Sequence, residues 1–580
     1  MKEEDNSIHQ DAIRHSLAHL LAMAVLTKFP DAKLGIGPVI ENGFYYDFLL
    51  PQPLTDGDLP ELQAAMRELI FQHLDVTGES IPPAAAKKLF KDQPFKLELV
   101  GDFSKEDKKL TVYRTGSFTD LCRGGHVKNT KEISPNAFQL HKVAGAYWKG
   151  SEKNAQLTRI YGLAFETKND LTEFLAMREE AVKRDHRKLG RELELFTIID
   201  EVGPGLPLFY PKGAMLRRIV ESYVADIQEK RGYKPIWIPH ITKGELYAIS
   251  GHLEKYDAMY PPMKLEGETD YYLKPMNCPH FMMLYKTLPH SYKELPIRWV
   301  ATTTNYRYEK SGELSGLTRV RALTQDDCHV FARPDQIEAE IHLMLDMIAE
   351  LYEKFGFKDF WVRISTHDPK NKEKYIGDPK VWEESEMALT NLIQARGWKH
   401  EVGVGEAAFY GPKLDFMFRD VLRREWQLST IQLDMNLPKR FAVEYIDADG
   451  AKKQPVLIHR ALLGSTERFL GILIEHFGGA FPLWLSPVQV AILTVNETVK
   501  AYATGVAEEL QRGGYRTITD DRSESIGKKI RESELQKIPF LLVIGGREKE
   551  ARTVAVRKHG VGDLGTMPLE AFFDLLKNEQ

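Results

Sequence analysis

Two breaks divide this sequence into segments with different patterns of helices and strands. Residues 203–207 read GPGLP and residues 485–487 read LSP, and both compositions are typical of turns or linkers. After residue 487, short apolar runs alternate with helical patterns, which predicts a small α/β module with a largely parallel sheet. Between the breaks, helices and β-rich runs follow no strict βαβ order, which favours an antiparallel sheet flanked by helices. A chain of 580 residues is also too long for a single core.

The segment before the first break predicts an α+β domain. Apolar residues recur at helical spacing over residues 10–28, and the run GPVIENGFYYDF predicts a strand, a turn and a second strand. Further helices are expected over residues 59–74 and after Pro82. Further strands are expected at Phe95–Val100, Leu110–Tyr113 and Ala144–Trp148. A charged helix would then connect this domain to the next, so the expected segments are 1–168, 169–189 (the linker helix), 190–484 and 485–580.

The composition is that of an ordinary globular protein, with 43% hydrophobic and 28% charged residues. No run approaches 18 uninterrupted apolar residues, so no membrane span is expected. The N-terminus is acidic and polar, without a signal peptide's apolar segment, which predicts a cytoplasmic protein. The net charge of −5 does not by itself indicate a nucleic-acid ligand. The basic runs at residues 183–188, 217–218 and 527–531 are more often solvated helix faces.

Cysteine usage points to a metal instead of disulfides. Three cysteines in 580 residues are too few for a disulfide scaffold. Cys278, in KPMNCP, lies between prolines, and His329 and His459 follow in TQDDCH and LIHR. One thiolate and two imidazoles are a zinc ligand set that leaves a coordination position open. Simple packing of Cys278 is the competing interpretation, because ligands so far apart fit no zinc-finger template.

A second cluster of the same residue types occurs near the N-terminus. His15 and His19 are four residues apart on a helix and so share one face. Asp120, Cys122 and His126 lie together in DLCRGGH. Two histidines with Cys-x-x-x-His fit a tetrahedral zinc site, but they also fit a hydrolytic site that activates water.

Long motifs in the chain resemble the threonyl-tRNA synthetase family of class II aminoacyl-tRNA synthetases. KPMNCP, NYRYEKSGELSGLTRVRALTQDDCH, FYGPKLDF, EWQLSTIQLDMNLP and LIHRALLGSTERFLGILIEHF resemble its catalytic core. DLCRGGH and the alternating tail resemble its editing and anticodon-binding domains. The resemblance covers essentially the whole chain, although the family's common N-terminal ubiquitin-like module is missing. It implies an α+β multidomain fold: an α+β editing domain, a class II antiparallel sheet flanked by helices, and a C-terminal α/β anticodon-binding domain.

The resemblance implies a threonine–tRNA ligase that activates L-threonine with ATP and Mg²⁺ and charges tRNA(Thr). Cationic side chains stabilise the charge that develops at the α-phosphorus. By motif position, Arg307 would touch the α-phosphate, Arg319 the γ-phosphate and Arg468 the adenine. Glu309, Arg319 and Arg321 are expected on the strand that returns from Arg307. The remaining predicted ATP-site residues are Gln427 and Thr430.

The family also implies one Zn²⁺ per subunit, held by Cys278, His329 and His459. An apolar pocket separates threonine from its isostere valine by only about 10²-fold, whereas a metal can sense the hydroxyl group. Cys328 points to the other face of its strand and is not expected to be a ligand. The predicted threonine-binding residues are Met276, Gln325, Asp327, Tyr410, Lys413 and Gln432.

Serine carries the same hydroxyl group, so a second, hydrolytic site is needed to remove Ser-tRNA(Thr). The resemblance assigns this editing site to His15, His19, Lys96, Asp120, Cys122 and His126, with Tyr113 as a further contact to the tRNA end. It favours an activated water without a catalytic metal. The family often has proline where this chain has Gly125, a change expected to add flexibility.

The remaining predictions concern partners. Arg522, Arg547 and Glu548, expected in loops after strands, are predicted to contact the anticodon. Pro239 resembles part of the first class II motif, which implies a homodimer. Two alternatives stay open: a prolyl- or seryl-activating relative, which the thiol–imidazole set disfavours, and a non-catalytic RNA-binding paralogue, which the three arginines disfavour.

Overall fold

The computed structural model describes residues 2–105, 110–267 and 269–579. It divides into two compact units, residues 1–179 and 180–580. Among the described residues, no helix is both long and apolar enough to cross a membrane.

Unit 1 is an α+β domain with two sheets. Its helices are α1 Lys2–Lys28, α2 Leu59–Phe71, α3 Pro83–Leu89, α4 Pro94–Lys105 and α5 Lys168–Arg184. Its strands are β1 Lys33–Leu34, β2 Val39–Ile40, β3 Gly43–Leu49, β4 Val76–Ser80, β5 Thr111–Thr115, β6 Phe118–Leu121, β7 Phe138–Tyr147 and β8 Gln156–Ala164. The larger sheet has the order β1-β3-β8-β7 with β2 beside β3, and the smaller one is β4-β5-β6. The apolar face of α1 packs in one core with β3 and α2. This packing fixes the position of α1 against the larger sheet.

One predicted strand in unit 1 is wrong. Phe95–Val100 lies in helix α4, although Leu110–Tyr113 and Ala144–Trp148 contribute to strands β5 and β7. The alternating apolar residues Phe95, Leu97 and Leu99 mimic a strand period. Pro94, which is well tolerated in a first helical turn, begins the helix instead.

The charged helix predicted for residues 169–189 is interrupted. Helix α5 ends at Arg184, and a new helix, α6 His186–Glu192, begins after Asp185. The Asp185 carboxylate accepts from the backbone N–H of Arg187 and so caps α6. A capping aspartate inside a charged helical run therefore ended the first helix earlier than its periodicity suggested.

The first part of unit 2 contains an eight-stranded sheet and its helices. The further helices are α7 Pro211–Glu229, α8 Glu245–Ser250, α9 His252–Lys255, α10 Cys278–Lys286, α11 Ile337–Phe355, α12 Pro379–Ala395, α13 Leu437–Arg440 and α14 Thr466–Phe477. The strands are β9 Phe196–Thr197, β10 Leu208–Phe209, β11 Lys234–Pro235, β12 Ile241–Lys243, β13 Tyr271–Leu273, β14 Ile297–Tyr306, β15 Ala322–Ala332, β16 Phe360–Thr366, β17 His400–Val404, β18 Lys413–Arg419, β19 Glu425–Asp434, β20 Tyr445–Ile446, β21 Lys452–Lys453 and β22 Val456–Ala461.

The sheet order is β11-β14-β15-β22-β19-β18-β16-β17, which is antiparallel except for the parallel pairs at its two edges. This confirms the antiparallel sheet flanked by helices. Alternate residues of β15 face opposite sides: Cys328 and Val330 join the core with α11 and α14, whereas Phe331 packs in a second cluster with Cys278. Central strands buried on both faces leave little freedom for register, so polar residues on the second face are held firmly.

The C-terminal part of unit 2 is an α/β module. Its strands are β23 Val490–Thr494, β24 Thr517–Asp520, β25 Phe540–Ile544, β26 Thr553–Lys558 and β27 Gly562–Pro568. Its helices are α15 Lys500–Arg512, α16 Ile526–Leu535, α17 Gly546–Ala551 and α18 Leu569–Asn578. The sheet is mixed, not largely parallel as predicted, because β26 and β27 add as antiparallel strands. The glycines of β27 hid that strand from its sequence pattern.

Candidate functional sites

A thiol and two imidazoles meet on the second face of the eight-stranded sheet. Strands β15 and β22 pair so that His329 lies directly opposite His459, and Cys278 begins helix α10 beside them. One potential ligand atom from each of the three residues lies within 4.8 Å of the other two. All three side chains are buried. We call this set the unit 2 trio; strand register brings together residues that the sequence separates by 181 positions.

The bonding of the trio fits a bound cation. His459 Nε2 lies 3.0 Å from Asp434 Oδ2, which orients that ring. Neither ring nitrogen of His329 has a hydrogen-bond partner among the described residues, and the nearest carboxylate oxygen, on Asp327, is 3.7 Å from Nδ1. A buried polar atom without a partner is costly. Burial also raises the pKa of the Cys278 thiol well above its usual range, so a thiolate here needs a neighbouring positive charge.

A polar network surrounds the trio. Asn277 donates to Asp327 Oδ2 at 2.9 Å and accepts from Lys274 Nζ at 2.7 Å. Burial lowers the pKa of Lys274 to about 8. Tyr410 donates to Gln432 Oε1 at 2.5 Å, and Gln432 lies opposite His459 in the sheet. Sequence reasoning missed Lys274 and Asn277, although both belong to the quoted KPMNCP.

Two of the three remaining predicted threonine contacts are Gln325 and Met276. Gln325 Oε1 accepts from Asn305 at 2.6 Å. Met276 packs, partly buried, against the cluster that contains Cys278. Met276 and Tyr410 thus pack in the cluster that contains Cys278, and Asp327 lies beside His329.

Lys413 belongs to a neighbouring group centred on Asp415. This fully buried carboxylate accepts from Lys413 Nζ at 2.7 Å, Gln427 Nε2 at 2.7 Å and Thr430 Oγ1 at 3.1 Å. Ser365 Oγ donates to it as well, at 2.8 Å. Three predicted site residues therefore share one acceptor that sequence reasoning did not single out. Its position in FYGPKLDF was the available signal.

The predicted ATP-binding arginines come from a loop and a helix. Arg307 follows β14 and donates to the carbonyl oxygen of Pro275 at 3.3 Å. Arg468, in the first turn of α14, donates through Nε to the carbonyl oxygen of Thr318 at 3.0 Å. Burial and the nearby Arg307 and Arg319 lower the pKa of Arg468. Positive charge from Arg307, Arg319 and Arg468 accumulates here, as an anionic substrate would require.

The expectation that Glu309, Arg319 and Arg321 lie on a returning strand is wrong. All three belong to the loop of residues 307–321, because β15 begins only at Ala322. Arg319 forms ion pairs at 2.8 Å with Glu309 and with Glu313, and Arg321 donates to the carbonyl oxygen of Glu309 at 3.0 Å. The glycines in SGELSG interrupt the strand pattern.

In unit 1, α1 and the segment after β6 bring together His15, His19, Cys122 and His126, which we call the unit 1 cluster. Cys122 Sγ lies 3.2 Å from His15 Nε2 and 3.1 Å from His126 Nε2. His19 Nε2 lies 3.7 Å from a carboxylate oxygen of Asp120. His15, His19, Asp120 and Cys122 line a cavity of about 510 Å³. The i, i+4 spacing on α1 and the compact DLCRGGH motif made this grouping predictable.

The Asp120 carboxylate is buried and has two further partners. Lys96 Nζ lies 2.5 Å from Oδ1, and the hydroxyl of Tyr46 donates to Oδ2 at 2.5 Å. Lys96 is itself only 1% exposed, so the structure places it against Asp120 from helix α4. Tyr46, on strand β3, was missed because a buried tyrosine in an aromatic strand resembles ordinary core.

Ser16 connects the cluster to the backbone. Its Oγ accepts from the backbone N–H of Val127 at 3.1 Å and lies 3.3 Å from His126 Nδ1, while His126 Nε2 faces Cys122. Burial lowers the pKa of His126 to about 2 and that of His19 well below its usual value, and it raises the pKa of Cys122 to about 11. The cluster therefore consists of neutral groups at neutral pH.

The loop beside the cluster follows a path that depends on glycine. Gly125 has φ +81°, which proline, fixed near −65°, cannot adopt. Glycine at position 125 therefore permits a backbone path that proline could not follow. Tyr113 lies close by, with its ring centroid 4.7 Å from that of His126.

The residues predicted to contact an anticodon lie at one edge of the C-terminal sheet. Strands β23, β24 and β25 are parallel, so their carboxyl ends, followed by Arg522 and Arg547, share that edge. Arg522 forms ion pairs with Asp520 and Glu532. Arg547 and Glu548 lie in the short helix α17 and not in a loop, and Glu548 accepts from the backbone N–H of Gly545 at 2.8 Å. Glu548 thus caps a helix.

Comparisons with known proteins agree with this arrangement. Residues 262–477 match the family described as "tRNA synthetase class II core domain (G, H, P, S and T)", and residues 489–579 match "Anticodon binding domain". Residues 110–161 match "Threonyl and Alanyl tRNA synthetase second additional domain".

Individual relatives extend the similarity to nearly the whole chain. The threonine–tRNA ligase of Rubrobacter xylanophilus is 50% identical over 98% of this chain and 88% of its own length. That of Gloeobacter violaceus is 51% identical over 96% and 90%. Among solved structures, the RNA binding domain of threonyl-tRNA synthetase from Cryptosporidium parvum Iowa II has a TM-score of 0.65 and 36% identity, covering 68% of this chain and 98% of its own.

Proposed function

The chain belongs to the threonine–tRNA ligase family, and from this premise we propose that it activates L-threonine with ATP, transfers the threonyl group to tRNA(Thr), and hydrolyses Ser-tRNA(Thr) at a separate site. The observation that carries the proposal is the convergence of Cys278, His329 and His459 beside Asp327. A hydroxyl-sensing pocket needs such a polar, buried group, because shape alone separates threonine poorly from valine.

We propose that the unit 2 trio holds one zinc ion per subunit. The unpartnered nitrogens of His329 and the buried thiol support this assignment. A bound zinc ion would supply an open coordination position for the amino and hydroxyl groups of threonine. Asp327 would accept from the hydroxyl or ammonium group, and Asn277 holds that carboxylate in place.

Residues on the ATP side would stabilise charge during activation. The threonine carboxylate attacks the α-phosphorus and diphosphate leaves, so negative charge develops around that atom. Arg307 and Arg468 would neutralise this charge. Arg319 would release its ion pair with Glu309 or Glu313 and bind the γ-phosphate instead. Asp415 keeps Lys413, Gln427 and Thr430 oriented towards the same pocket. Mg²⁺ would accompany ATP as its counter-ion.

The unit 1 cluster would catalyse hydrolysis of the serine ester. A water molecule would attack the ester carbonyl, and the tRNA hydroxyl would leave. The raised pKa of Cys122 disfavours a thiolate nucleophile, whereas neutral imidazoles suit a role in positioning and deprotonating water. His19 Nδ1 has no hydrogen-bond partner among the described residues and its Nε2 faces Asp120, which makes His19 the favoured base.

The partners follow the same proposal. Arg522 and Arg547 would contact the anticodon at the carboxyl edge of the C-terminal sheet.

A homodimer in the cytoplasm is proposed, and the support for the dimer is the exposed apolar surface beside Pro239: Trp237 is 80% exposed and Ile241 is 49% exposed. Single apolar residues are common on surfaces, but an indole exposed to this extent is typical of an interface.

Amino-acid-dependent ATP–pyrophosphate exchange tests the proposal. We expect strong exchange with threonine, weaker exchange with serine, and background exchange with valine and proline. Proline-dependent exchange would instead support the prolyl-activating alternative. Absence of exchange with every amino acid would support the non-catalytic paralogue.

A further inference from the structure

A third group of ionisable residues lies outside both proposed sites. Asp185 and His186, at the start of α6, come close to Glu475 near the end of α14, with ligand atoms within 4.8 Å of one another. The sequence placed residues 183–188 on a solvated basic face. His186 is nevertheless only 3% exposed, so one member of that run points into the protein.

The hydrogen bonds of His186 define its protonation. The Nδ1 atom lies 2.6 Å from Glu475 Oε1, and the backbone N–H of His186 donates to the same oxygen at 3.0 Å. The Nε2 atom accepts from the backbone N–H of Leu317 at 3.0 Å. Because a backbone N–H can only donate, Nε2 carries no proton and Nδ1 carries the single one. Both ring nitrogens are thus occupied, which leaves none for a metal.

Glu475 is held as an ionised acceptor. Burial acts to raise its pKa, but hydrogen bonds from His186 and Arg424 hold the pKa below its usual value. The charged carboxylate therefore fixes the orientation of the imidazole, and the imidazole in turn fixes the position of Leu317. Glycine at position 316 makes this approach possible, since a Cβ there would lie 2.1 Å from His186 Nε2.

Leu317 lies in the loop that carries the predicted nucleotide contacts. The next residue, Thr318, offers the carbonyl oxygen that accepts from Arg468 Nε at 3.0 Å. The residue after it is Arg319. One histidine from the start of α6 thus holds the backbone that positions two arginines proposed to bind ATP.

We infer that His186 is a positioning residue for amino-acid activation, acting through Leu317 on the 307–321 loop. The inference rests on the proposed ATP-dependent function. Without the acceptor at Nε2, the buried Leu317 N–H loses its partner, Thr318 shifts, and Arg468 and Arg319 lose their alignment for the triphosphate.

Two substitutions separate positioning from simple stability. The side-chain nitrogen of His186→Asn can replace Nδ1 as donor to Glu475, but it leaves Leu317 without an acceptor. The side-chain oxygen of His186→Gln can reach Leu317 in place of Nε2, but it gives up the donor to Glu475. In threonine-dependent pyrophosphate exchange, we expect His186→Asn to raise the KM for ATP about tenfold. The reason is that a buried N–H donor without an acceptor costs enough free energy to change an equilibrium constant about tenfold or more. His186→Gln should stay within about threefold, and the KM for threonine should change little in both.

Two glycines in the same loop provide a further comparison. Gly316→Ala should displace the imidazole and strain a backbone whose φ is +49°, and should raise the KM for ATP at least as much as His186→Asn does. Gly312→Ala, where a Cβ meets nothing within 4 Å, should behave as the wild type. Urea unfolding midpoints of all variants report the purely structural effect.

The inference is overturned if His186→Asn and His186→Gln have equal KM values for ATP, or if their losses follow only their unfolding midpoints. Failure of the proposed function is distinguishable, because the wild-type protein itself would then show no threonine-dependent exchange.

Discussion

The unit 1 cluster and the unit 2 trio use the same residue types in opposite ways. Both combine one cysteine with histidines and have an aspartate nearby. In unit 1, Cys122 contacts the ring nitrogens of both His15 and His126, and Ser16 contacts His126 from the other side. In unit 2, His329 has two buried nitrogens without a hydrogen-bond partner in the part of the chain that the structure describes. The polar atoms of the unit 1 cluster largely contact one another, whereas the ring nitrogens of His329 in the unit 2 trio have no hydrogen-bond partner among the described residues.

This difference teaches what each group can bind. A hydrogen-bonded set of neutral groups beside a cavity of about 510 Å³ is suited to hold a water molecule and an ester. A buried imidazole with no partner is stabilised only when something else occupies the space, and a cation between a thiolate and imidazoles would do so. Residue type alone does not distinguish a hydrolytic site from a metal site, since both groups have ligand atoms within 4.8 Å of one another; the difference in hydrogen bonding is the basis of the two proposed roles.

The largest expected effect is that of Cys278→Ser. We expect threonine-dependent pyrophosphate exchange to fall by about 10⁴-fold, because a site built for a hydroxyl group fails by this order when its buried polar groups are left unmatched. Bound zinc, measured by elemental analysis, should fall from one per subunit to none.

Cys328→Ala is the matched control for this variant. Cys328 is equally buried but packs into the opposite core, so its loss should leave the zinc content unchanged. A zinc content of two ions per subunit in the wild type and one in Cys278→Ser would show that the unit 1 cluster also binds metal. The proposed difference between the two groups would then be wrong. Full activity of Cys278→Ser without metal would contradict the zinc assignment.

The second effect concerns hydrolysis alone. The double variant Cys122→Ala/His126→Ala removes two members of the hydrogen-bonded set, and deacylation of Ser-tRNA(Thr) should fall by about 10²-fold or more. Charging with threonine should remain within about twofold, since the variant leaves the unit 2 trio intact. The measurement is the release of serine from preformed Ser-tRNA(Thr), and an unchanged rate would remove the editing assignment.

The smallest effect is a pH dependence of the stability of unit 1. Burial holds the pKa of His19 well below its usual 6.5. Below about pH 6.5 the unfolded chain therefore binds a proton that the folded chain does not, so stability is lost as the pH falls. Lowering the pH from 6.5 to 5 should therefore lower the free energy of unfolding of unit 1, because His19 gains a proton only in the unfolded chain.

Urea unfolding, followed by a probe in unit 1, measures this slope. His19→Gln should flatten the slope whatever its absolute stability. His9→Gln, a change at an exposed position of the same helix, should retain it. An identical slope in the wild type and His19→Gln would show that His19 is not held neutral by burial.

Parts of the fold were predictable where local pattern and tertiary environment agree. The helical spacing over residues 10–28 and the β-rich runs around Arg307 predicted α1, β14 and β15. The strand predicted for Phe95–Val100 failed because alternating apolar residues can also lie on a short helix with one buried face. The mixed C-terminal sheet was not predictable, since strand direction depends on how distant segments pair.

The candidate sites show the same division. Cys122 and His126 are close in sequence, so their grouping needed only a local loop. Tyr46 and Ser16 were missed because each acts through a contact with a side chain far along the chain, whereas Asp415 lies in a quoted motif two residues after Lys413. His186 was assigned to a solvated basic run, although a buried acceptor, Glu475, and a backbone donor, Leu317, had drawn it inward.

The sequence by itself determined the residue types and the family to which the chain belongs. Only the tertiary structure decided which of its polar atoms have partners. The physical reason is that the availability of a buried nitrogen or carboxylate depends on burial and strand register, which arise from contacts between distant segments. The pairing of β15 with β22, which sets His329 opposite His459, is such a contact, and neither nitrogen of His329 has a partner among residues 2–105, 110–267 and 269–579.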